Sequence, residues 1–562
     1  MICILHGYLL EGSGSNLWTR SIVQSLCRQG ETVHLVAQEN HPERYNFIAE
    51  ARRYLPDGTV ETFFRQQSAH PGCCILHKPQ LGDTLPVYVW DKYEEFPNVV
   101  PMVDLPDSEI EEYLERNVRA LTRIVRENGI TAMHANHAVL MSVVAQRVGE
   151  ATGVPFAVMP HGSAIEYAVK RDERFRRLAT EAFTAASRIF VIGDEMRGRV
   201  QAVFGEVPGL DSKLSELHLG VDTSQFETIP RAARPASIAR LRDAISNLPR
   251  GKTAEQTHQL RQRISGNLAL PELQAAFAET SGYETKAPDA DLETKLDLVE
   301  WQSDATLLFV GRMISAKGVQ EVIAALPLLL ERSPNLRLIL VGHGPLREPM
   351  EALLWALEND DRALVEKIVD WGRALEGNPE GEEEAQDLTK VRFFYQDLES
   401  RGELDAYFVA AQKHLRPGRV IFTGYLTHRE LQHLFPCCDA AIFPSVVREA
   451  GPLVFLEALA SGAFPMGTYF GGMKASIDSV AEALPREDAA AMKLNPAPER
   501  TVQDIVAHVP LALRMGEKHQ AALRGVAEDR YDWRSVARKL AAELRALQKS
   551  MPEPVEAPQN SE

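Results

Sequence analysis

Four side chains in the second half of the sequence have the types and spacing to hold a phosphorylated, hydroxyl-bearing ligand. Arg312 and Lys317 lie in TLLFVGRMISAKGVQEVI, where a strand-like apolar run ends at Gly311 and helical periodicity resumes near Val319. In an open α/β sheet, ligands bind beyond the carboxyl ends of the strands. Two cations beside a helix N-terminus suit a pyrophosphate there, with Arg312 bidentate and Lys317 a point charge. The spacing GxxxxGK[ST] is absent, so this is not a P-loop. The alternative is a pair of solvated loop charges. Glu449 and Glu457 stand in SVVREAGPLVFLEALASG, with Gly451 and Pro452 between them. The periodicity places Glu449 just outside a helix N-terminus and Glu457 one to two turns inside it. The amides near Leu453 and Val454 would then point at an anion or a sugar hydroxyl, and both carboxylates can accept hydroxyl hydrogen bonds. Glu449 could equally be a helix cap. A hydroxylated ligand carrying a diphosphate satisfies both segments.

Further strand-end turns follow the same logic. VGHGPLRE, with Gly342 and Gly344, and IFTGYL, with Gly424, could cup a base. His161, in PHGS, and the loop Gly12 to Ser15, which contains Gly14, end strands of the first half and are expected to face a crevice between two domains. A histidine after a strand is often only a satisfied structural residue. Three other groupings read as structural. His70, Cys73, Cys74 and His77 crowd one short stretch, whereas tetrahedral metal sites draw on two separated knuckles, so buried thiols beside a loop are expected. Asp289-Ala290-Asp291 sits in a polar stretch and reads as a solvated run. Lys170, Arg171, Arg174, Arg176 and Arg177 read as a solvated helix face, with an anionic acceptor or lipid surface as the other option.

These residues need a scaffold of two sheets. Length alone, at 562 residues, exceeds a single core. Apolar residues are 45% and charged residues 25%, a globular composition, and the net charge of -17 argues against a nucleic-acid binder. No apolar run reaches the roughly 20 residues that cross a bilayer, so a cytoplasmic protein is expected, at most peripheral at a membrane surface. Short apolar runs alternate with amphipathic helices, first from ICILHGYLL to SRIFVIGD and again from TLLFVGR to AFPMGTY. That alternation predicts two doubly wound α/β domains built on parallel sheets. The expected boundaries are 1–226 for the first domain, 227–302 for a polar helical linker, and 303–485 for the second domain. A helical insertion is expected at 347–418, C-terminal helices at 486–550, and a disordered tail at 551–562.

Taken in order, EGSGSN, the PHG of His161, HLGVDTSQF, GRMISAKG, GHGP, FTG, EAGPLVFLE and ASGAFPMGTYFGG resemble the motifs of glycosyltransferase family 4. The resemblance implies a GT-B fold, two Rossmann-like domains facing a central cleft, and retaining transfer from a nucleotide sugar. It implies that Arg312 and Lys317 hold the donor diphosphate, Glu457 the ribose, and Glu449 the donor sugar near the reacting centre. His161 would touch the donor sugar, and Gly12 and Gly14 would let the first loop close over the phosphates. Gly311, Gly342, Gly344, Gly424, Leu453 and Val454 complete the implied donor site. A UDP-sugar is the favoured donor; no metal or other cofactor is implied, and the acceptor would be a saccharide, a small molecule or a lipid-linked hydroxyl. The sequence departs from the family where Ala450, Gly451 and Pro452 replace an aromatic-glycine pair, because Pro452 has no N–H to offer the sugar. Leu219-Gly220 also replaces an Asn-Gly pair. Competing readings are a GT-B epimerase, a phosphorylase-like enzyme needing a pyridoxal phosphate lysine, and a non-catalytic regulatory or scaffold subunit. A dinucleotide oxidoreductase is disfavoured, since no G-x-G-x-x-G follows either first strand.

Overall fold

The chain divides into two compact units, one built from Met1–Gly220 with the segment from Arg530 onward, the other from Val221–Asp529. The structure, a computed structural model, describes residues 1–549 apart from 12–13, 89–95, 283–285, 377–387 and 449–450. The expected tail at 551–562 lies outside the described residues. No helix among the described residues is long and apolar enough to cross a membrane.

In the first unit a nine-stranded sheet contains β1 (Ile2–Leu5), β2 (Thr32–Val36), β3 (Ile48–Tyr54), β4 (Val60–Arg65) and β5 (Cys73–Pro79). A small separate ribbon pairs β6 (Thr84–Val87) with β7 (Asn98–Pro101). The main sheet continues with β8 (Ala132–Asn136), β9 (Phe156–Met159), β10 (Arg188–Val191) and β11 (Leu214–Glu216). Its order is β11-β10-β9-β8-β1-β2-β5-β3-β4. All neighbours run parallel except the β3–β4 hairpin. The central strands are buried along their length, which is why they read as continuous apolar runs. The sequence reading missed the hairpin, because β4 is half-exposed and its VETFFR alternates only weakly.

The expectation of thiols beside a loop is corrected here. Cys73 and Cys74 open β5, a strand paired on both sides, and alternation puts them on opposite faces. His77, on the same strand, is held by His34 Nδ1 at 2.9 Å from its Nε2 and by the Tyr54 hydroxyl at 2.8 Å from its Nδ1.

The second unit carries a six-stranded parallel sheet of β12 (Ala305–Val310), β13 (Leu336–Val341), β14 (Val420–Gly424), β15 (Ala440–Phe443), β16 (Phe464–Thr468) and β17 (Lys493–Leu494). Its order is β14-β13-β12-β15-β16-β17. Among the described residues between β13 and β14 the chain forms four α-helices, Arg347–Glu358, Arg362–Trp371, Thr389–Ser400 and Leu404–His414, and a short 3-10 helix, Gly372–Glu376. The segment 227–302 is also helical and belongs to this unit. Arg231 and Arg234 both reach the buried Asp439 carboxylate at the foot of β15, at 2.5 and 2.7 Å, and Thr306 N–H donates to the same group. Asp439 thereby satisfies buried donors from the linker and from β12 at once.

The C-terminal helices do not act as one block. Helix Thr501–Val526 packs on helix Val319–Arg332 of the second unit. Helix Trp533–Lys549 packs on helix Gly14–Arg28 of the first. A side chain at Gly220 would overlap the Trp533 ring, so the glycine of the altered Leu219-Gly220 pair is required by that packing.

Asp289 corrects the expectation of a solvated acidic run. It is 0% exposed. Its carboxylate takes a bidentate pair from Arg347, at 2.7 and 2.6 Å, and a third bond from Lys295 at 2.7 Å. Lys252, also buried, bonds Glu348 and Glu351 at 2.8 Å each, and Arg347 reaches Glu351. Burial alone would raise the Asp289 carboxyl, but Arg347 and Lys295 outweigh it and hold it below the usual carboxylate range. Asp291, by contrast, is half-exposed. Removing Asp289 would leave the Arg347 guanidinium buried and short of a partner, the costly half of breaking a buried pair. We expect Asp289→Ala to lose about 3–5 kcal/mol of unfolding free energy in urea, and Asp291→Ala less than about 1 kcal/mol. Equal losses would contradict the distinction.

Candidate functional site

Each sheet reverses its winding direction once, and such a switch point opens a crevice at the carboxyl ends of the strands. In the second unit β13 and β14 lie on one side of β12, while β15 and β16 lie on the other. The crevice therefore falls between the loops that follow β12 and β15. Arg312 and Lys317 occupy the first of these loops, Arg312 exposed and Lys317 half-buried in the turn Ser315–Lys317. Gly318 follows with φ +78°, and a Cβ there would overlap Pro444 O beyond β15. Only glycine allows this approach. Val446 N–H and the Ser445 hydroxyl both donate to Ala316 O, at 2.9 and 3.1 Å, which fastens the two loops together. Helix Val319–Arg332 begins directly after Gly318, as the periodicity predicted.

The turn after β13 closes the third side. Gly342 has φ +139°, and a side chain on it would overlap Gly311 O. Met313 N–H donates to His343 O and Leu346 N–H to Met313 O, both at 2.9 Å, so Gly342 and Gly344 lie flat against the Gly311–Met313 backbone. His343 stands near Arg312 and makes an edge contact with Tyr425, ring centroids 5.0 Å apart. Burial and the nearby Lys286 and Arg312 push it down to about 4, so its ring is neutral at neutral pH. Gly424 ends β14 against the backbone of Ala287 and Asp289.

Glu457 lies inside helix Leu453–Ser461 and is 4% exposed. His428 Nδ1 holds its Oε1 at 2.6 Å, while its buried Oε2 has no hydrogen-bond partner among the described residues. Such an orphaned oxygen is an acceptor awaiting a donor. Sequence reasoning missed His428, although THRE carries the capping-box pattern that fixes it at a helix start: Thr427 accepts from Arg429 N–H, and Glu430 from Thr427 N–H. Leu453 and Val454 form the first turn of their helix after the buried Pro452, and no side chain caps that turn among the described residues. Glu449 and Gly12 lie outside the described residues. Gly14 is the exposed first residue of helix Gly14–Arg28.

In the first unit the switch point lies between β1 and β8. His6 follows β1, His137 follows β8 and His161 follows β9, on three adjacent strands. His161 Nε2 bonds Asn136 Oδ1 at 3.0 Å; Asn136 Nδ2 donates to Thr19 Oγ1 at 2.9 Å, and Thr19 Oγ1 meets His6 Nδ1 at 3.1 Å. The His137 ring lies tilted against that of His161, centroids 4.8 Å apart, and neither of its ring nitrogens has a hydrogen-bond partner among the described residues. Both His137 and His161 have positive φ, 74° and 50°, a conformation that costs a non-glycine residue on the order of 1–3 kcal/mol. Sequence reasoning found His161 and missed His6, Asn136 and His137, whose only signal was polarity at the end of apolar runs. The basic group near Lys170 is a paired surface: Lys170 bonds Glu166, Arg174 bonds Asp172 and Asp107, and Arg176 lies beside Glu206.

Burial pushes His6 and His134 down to about 4 and His161, with His6 and His134 beside it, to about 3. The unfolded chain takes up protons on these rings near 6.5, whereas the folded chain resists until far lower. Their neutral burial therefore stabilises fully above pH 6.5 and is lost as pH falls from 6.5 toward 4. For the fully buried His6 and His134 the loss at pH 5 is on the order of 2 kcal/mol each. Thermal melts should show stability falling steeply between pH 6.5 and 5, less so in His134→Phe; a flat profile would contradict the buried neutral cluster.

Comparison with known proteins bears on the fold and the family. Residues 80–225 match the family model described as Glycosyltransferase Family 4, and residues 296–370 and 399–494 match two models described as Glycosyl transferases group 1. No curated protein sequence matches the chain significantly. Among solved structures, a glycosyltransferase from Rickettsia africae is similar at 12% identity and TM-score 0.52, over 98% of this chain and 99% of that one. Sucrose-phosphate synthase from Thermosynechococcus elongatus is similar at 14% identity and TM-score 0.51, over 98% of this chain and all of its own. HepE from Anabaena, solved in complex with UDP, follows at 14% and 0.50, over 97% and 99%. At such identities the likeness shows the fold, which is GT-B with two Rossmann-like domains. The family matches and the fold together support a glycosyltransferase, with the Family 4 segment in the first unit and the group 1 segments in the second.

Proposed function

We propose that the chain is a retaining hexosyltransferase that moves a sugar from a nucleoside-diphosphate sugar to a hydroxyl acceptor, a saccharide, a small molecule or a lipid-linked group. The observation that carries this reading is Glu457, buried, held on one oxygen by His428 and without a partner for the other among the described residues. A ribose hydroxyl is the donor that such an oxygen lacks. Arg312 and Lys317, in the loop after β12, would neutralise the diphosphate as the glycosidic C–O bond breaks and negative charge gathers on the leaving oxygen. Gly311, Gly342 and Gly344 are assigned to the donor site, where Gly342 and Gly344 let the turn after β13 lie against the loop that carries Arg312, and Gly424 turns the chain away at the end of β14. The amides at Leu453 and Val454, which no side chain caps among the described residues, are assigned to the donor sugar together with Glu449. UDP is the favoured nucleotide, in keeping with its presence in the HepE structure.

His161 is assigned to the donor sugar from the first unit, with Gly12 and Gly14 in the loop that would close over the phosphates. With Nε2 committed to Asn136, the neutral ring offers Nδ1 to a hydroxyl and brings no charge. In the retaining pathway the acceptor oxygen attacks from the face the nucleotide leaves. Its proton passes to the departing phosphate, so no side-chain base is required. Two fixed cations supply the charge stabilisation that a metal gives in other transferases, and turnover should survive a chelator.

A screen of nucleotide sugars for transfer and slow hydrolysis identifies the donor, and variants then assign the roles. Lys317→Ala should keep the wild-type melting temperature and lose about 2–4 kcal/mol of transition-state stabilisation, roughly 30- to 1,000-fold in turnover. Glu457→Gln should weaken nucleoside diphosphate binding directly. Glu449→Gln should lower turnover far more than diphosphate affinity, because the free diphosphate lacks the sugar. Near-normal turnover in a folded Lys317→Ala overturns the diphosphate assignment, and the opposite pattern in the two glutamates reverses theirs.

A further inference from the structure

The second unit contains a cavity of about 310 Å³ that shares none of the residues assigned above. Its floor is Val420–Phe422, the opening half of edge strand β14, whereas the donor-site glycine Gly424 ends that strand. Its walls come from two helices, Ala254–Arg263 of the linker and Arg347–Glu358 of the insertion, and from the turn 415–419. The volume falls at the small end of the range for small-molecule sites, roughly 300–1,000 Å³.

Charge on the walls is uneven once internal pairs are set aside. Lys295 is committed to Asp289 and Asp291, and Glu351 to Lys252 and Arg347. That leaves Arg261, Arg416 and Arg419 against Glu358, an excess of two positive charges. Arg416 donates to the carbonyls of Gln412 and Leu415. Among the described residues, neither Arg261 nor Arg419 has an ion pair or side-chain hydrogen bond, and Glu358 has none either. Arg419 is half-buried; burial and the neighbouring Arg337 disfavour its charge and outweigh Asp304, which favours it but is bonded to Arg337. A guanidinium kept there without a bonded anion is an incomplete site, and the planar fork of arginine suits the oxygens of a phosphate. Glu358 and Asp291 are carboxylate acceptors for hydroxyls, and Leu354, Leu415 and Ile421 give the cavity an apolar side.

We propose that this cavity binds a small phosphorylated sugar or polyol, its phosphate on Arg261 and Arg419 and its hydroxyls toward Glu358, at a site separate from the donor site. A phosphate monoester carries close to two negative charges at neutral pH and matches the excess on the walls. Such a ligand would bridge the linker helix, the insertion helix and β14, three elements brought together only in the folded second unit.

The test is calorimetric titration of the full chain with ribose 5-phosphate, inorganic phosphate and free ribose, each with and without saturating UDP. Ribose 5-phosphate should bind saturably and be indifferent to UDP. Inorganic phosphate should bind more weakly, and free ribose should give no measurable heat. Arg261→Gln, on an exposed helix face, should weaken binding about tenfold, and Arg261→Gln with Arg419→Gln about a hundredfold. No saturable binding by the wild-type protein overturns the proposal, as does displacement by UDP. Unchanged affinity in Arg261→Gln, which folds whatever the double variant does, overturns it too. Equal affinity for inorganic phosphate and ribose 5-phosphate rules out the sugar half of the assignment.

Discussion

The buried pair between Asp289 and Arg347 is the constraint on which the ends of β13 and β14 in the second unit depend. Arg347 opens the helix that follows the Gly342–Gly344 turn, so fixing its guanidinium fixes where that turn ends. Asp289 N–H donates to Thr423 O, and Tyr425 N–H to Ala287 O, which ties the linker backbone to the end of β14. Lys295 bonds both the Asp289 carboxylate and Phe422 O. One carboxylate thus sets the positions of two strand ends relative to each other. A pair so deeply buried offers little net stability over an apolar substitute. Its value here is geometric, because the bidentate fork admits one arrangement of the linker, the insertion helix and the two turns.

The two crevices use opposite electrostatic means. In the second unit, cations stand in a loop made rigid by glycine contacts and by bonds between the ends of β12, β13 and β15. In the first, histidines are buried so deeply that they remain neutral. Cations suit a diphosphate whose charge grows as it departs, while neutral imidazoles suit hydroxyl groups whose recognition needs direction rather than charge.

Much of this was legible in the sequence for a physical reason. Strands buried on both faces appear as unbroken apolar runs, and the glycines at 318, 342 and 344 sit where backbones touch, a requirement that no other residue meets. What stayed hidden depended on tertiary partners. Asp289 reads as one more acid in a polar stretch until Arg347, far along the chain, is brought against it. His428 becomes meaningful only beside Glu457, and His137 only beside His161. The weakly alternating β4 had no burial signal to give. The final helices look continuous in sequence, yet their apolar faces pack on different sheets.

The central claim is that the loops following β12, β13 and β15, with Glu457 behind them, form the nucleotide site. Amide hydrogen exchange of the full chain with and without UDP tests it most directly. Slowed exchange is expected to concentrate in residues 311–318, 342–346 and 453–458, with the peptides of β5 and of helix Asp107–Asn128 unchanged. Protection confined to other segments, or none at a UDP concentration that saturates binding, would contradict it.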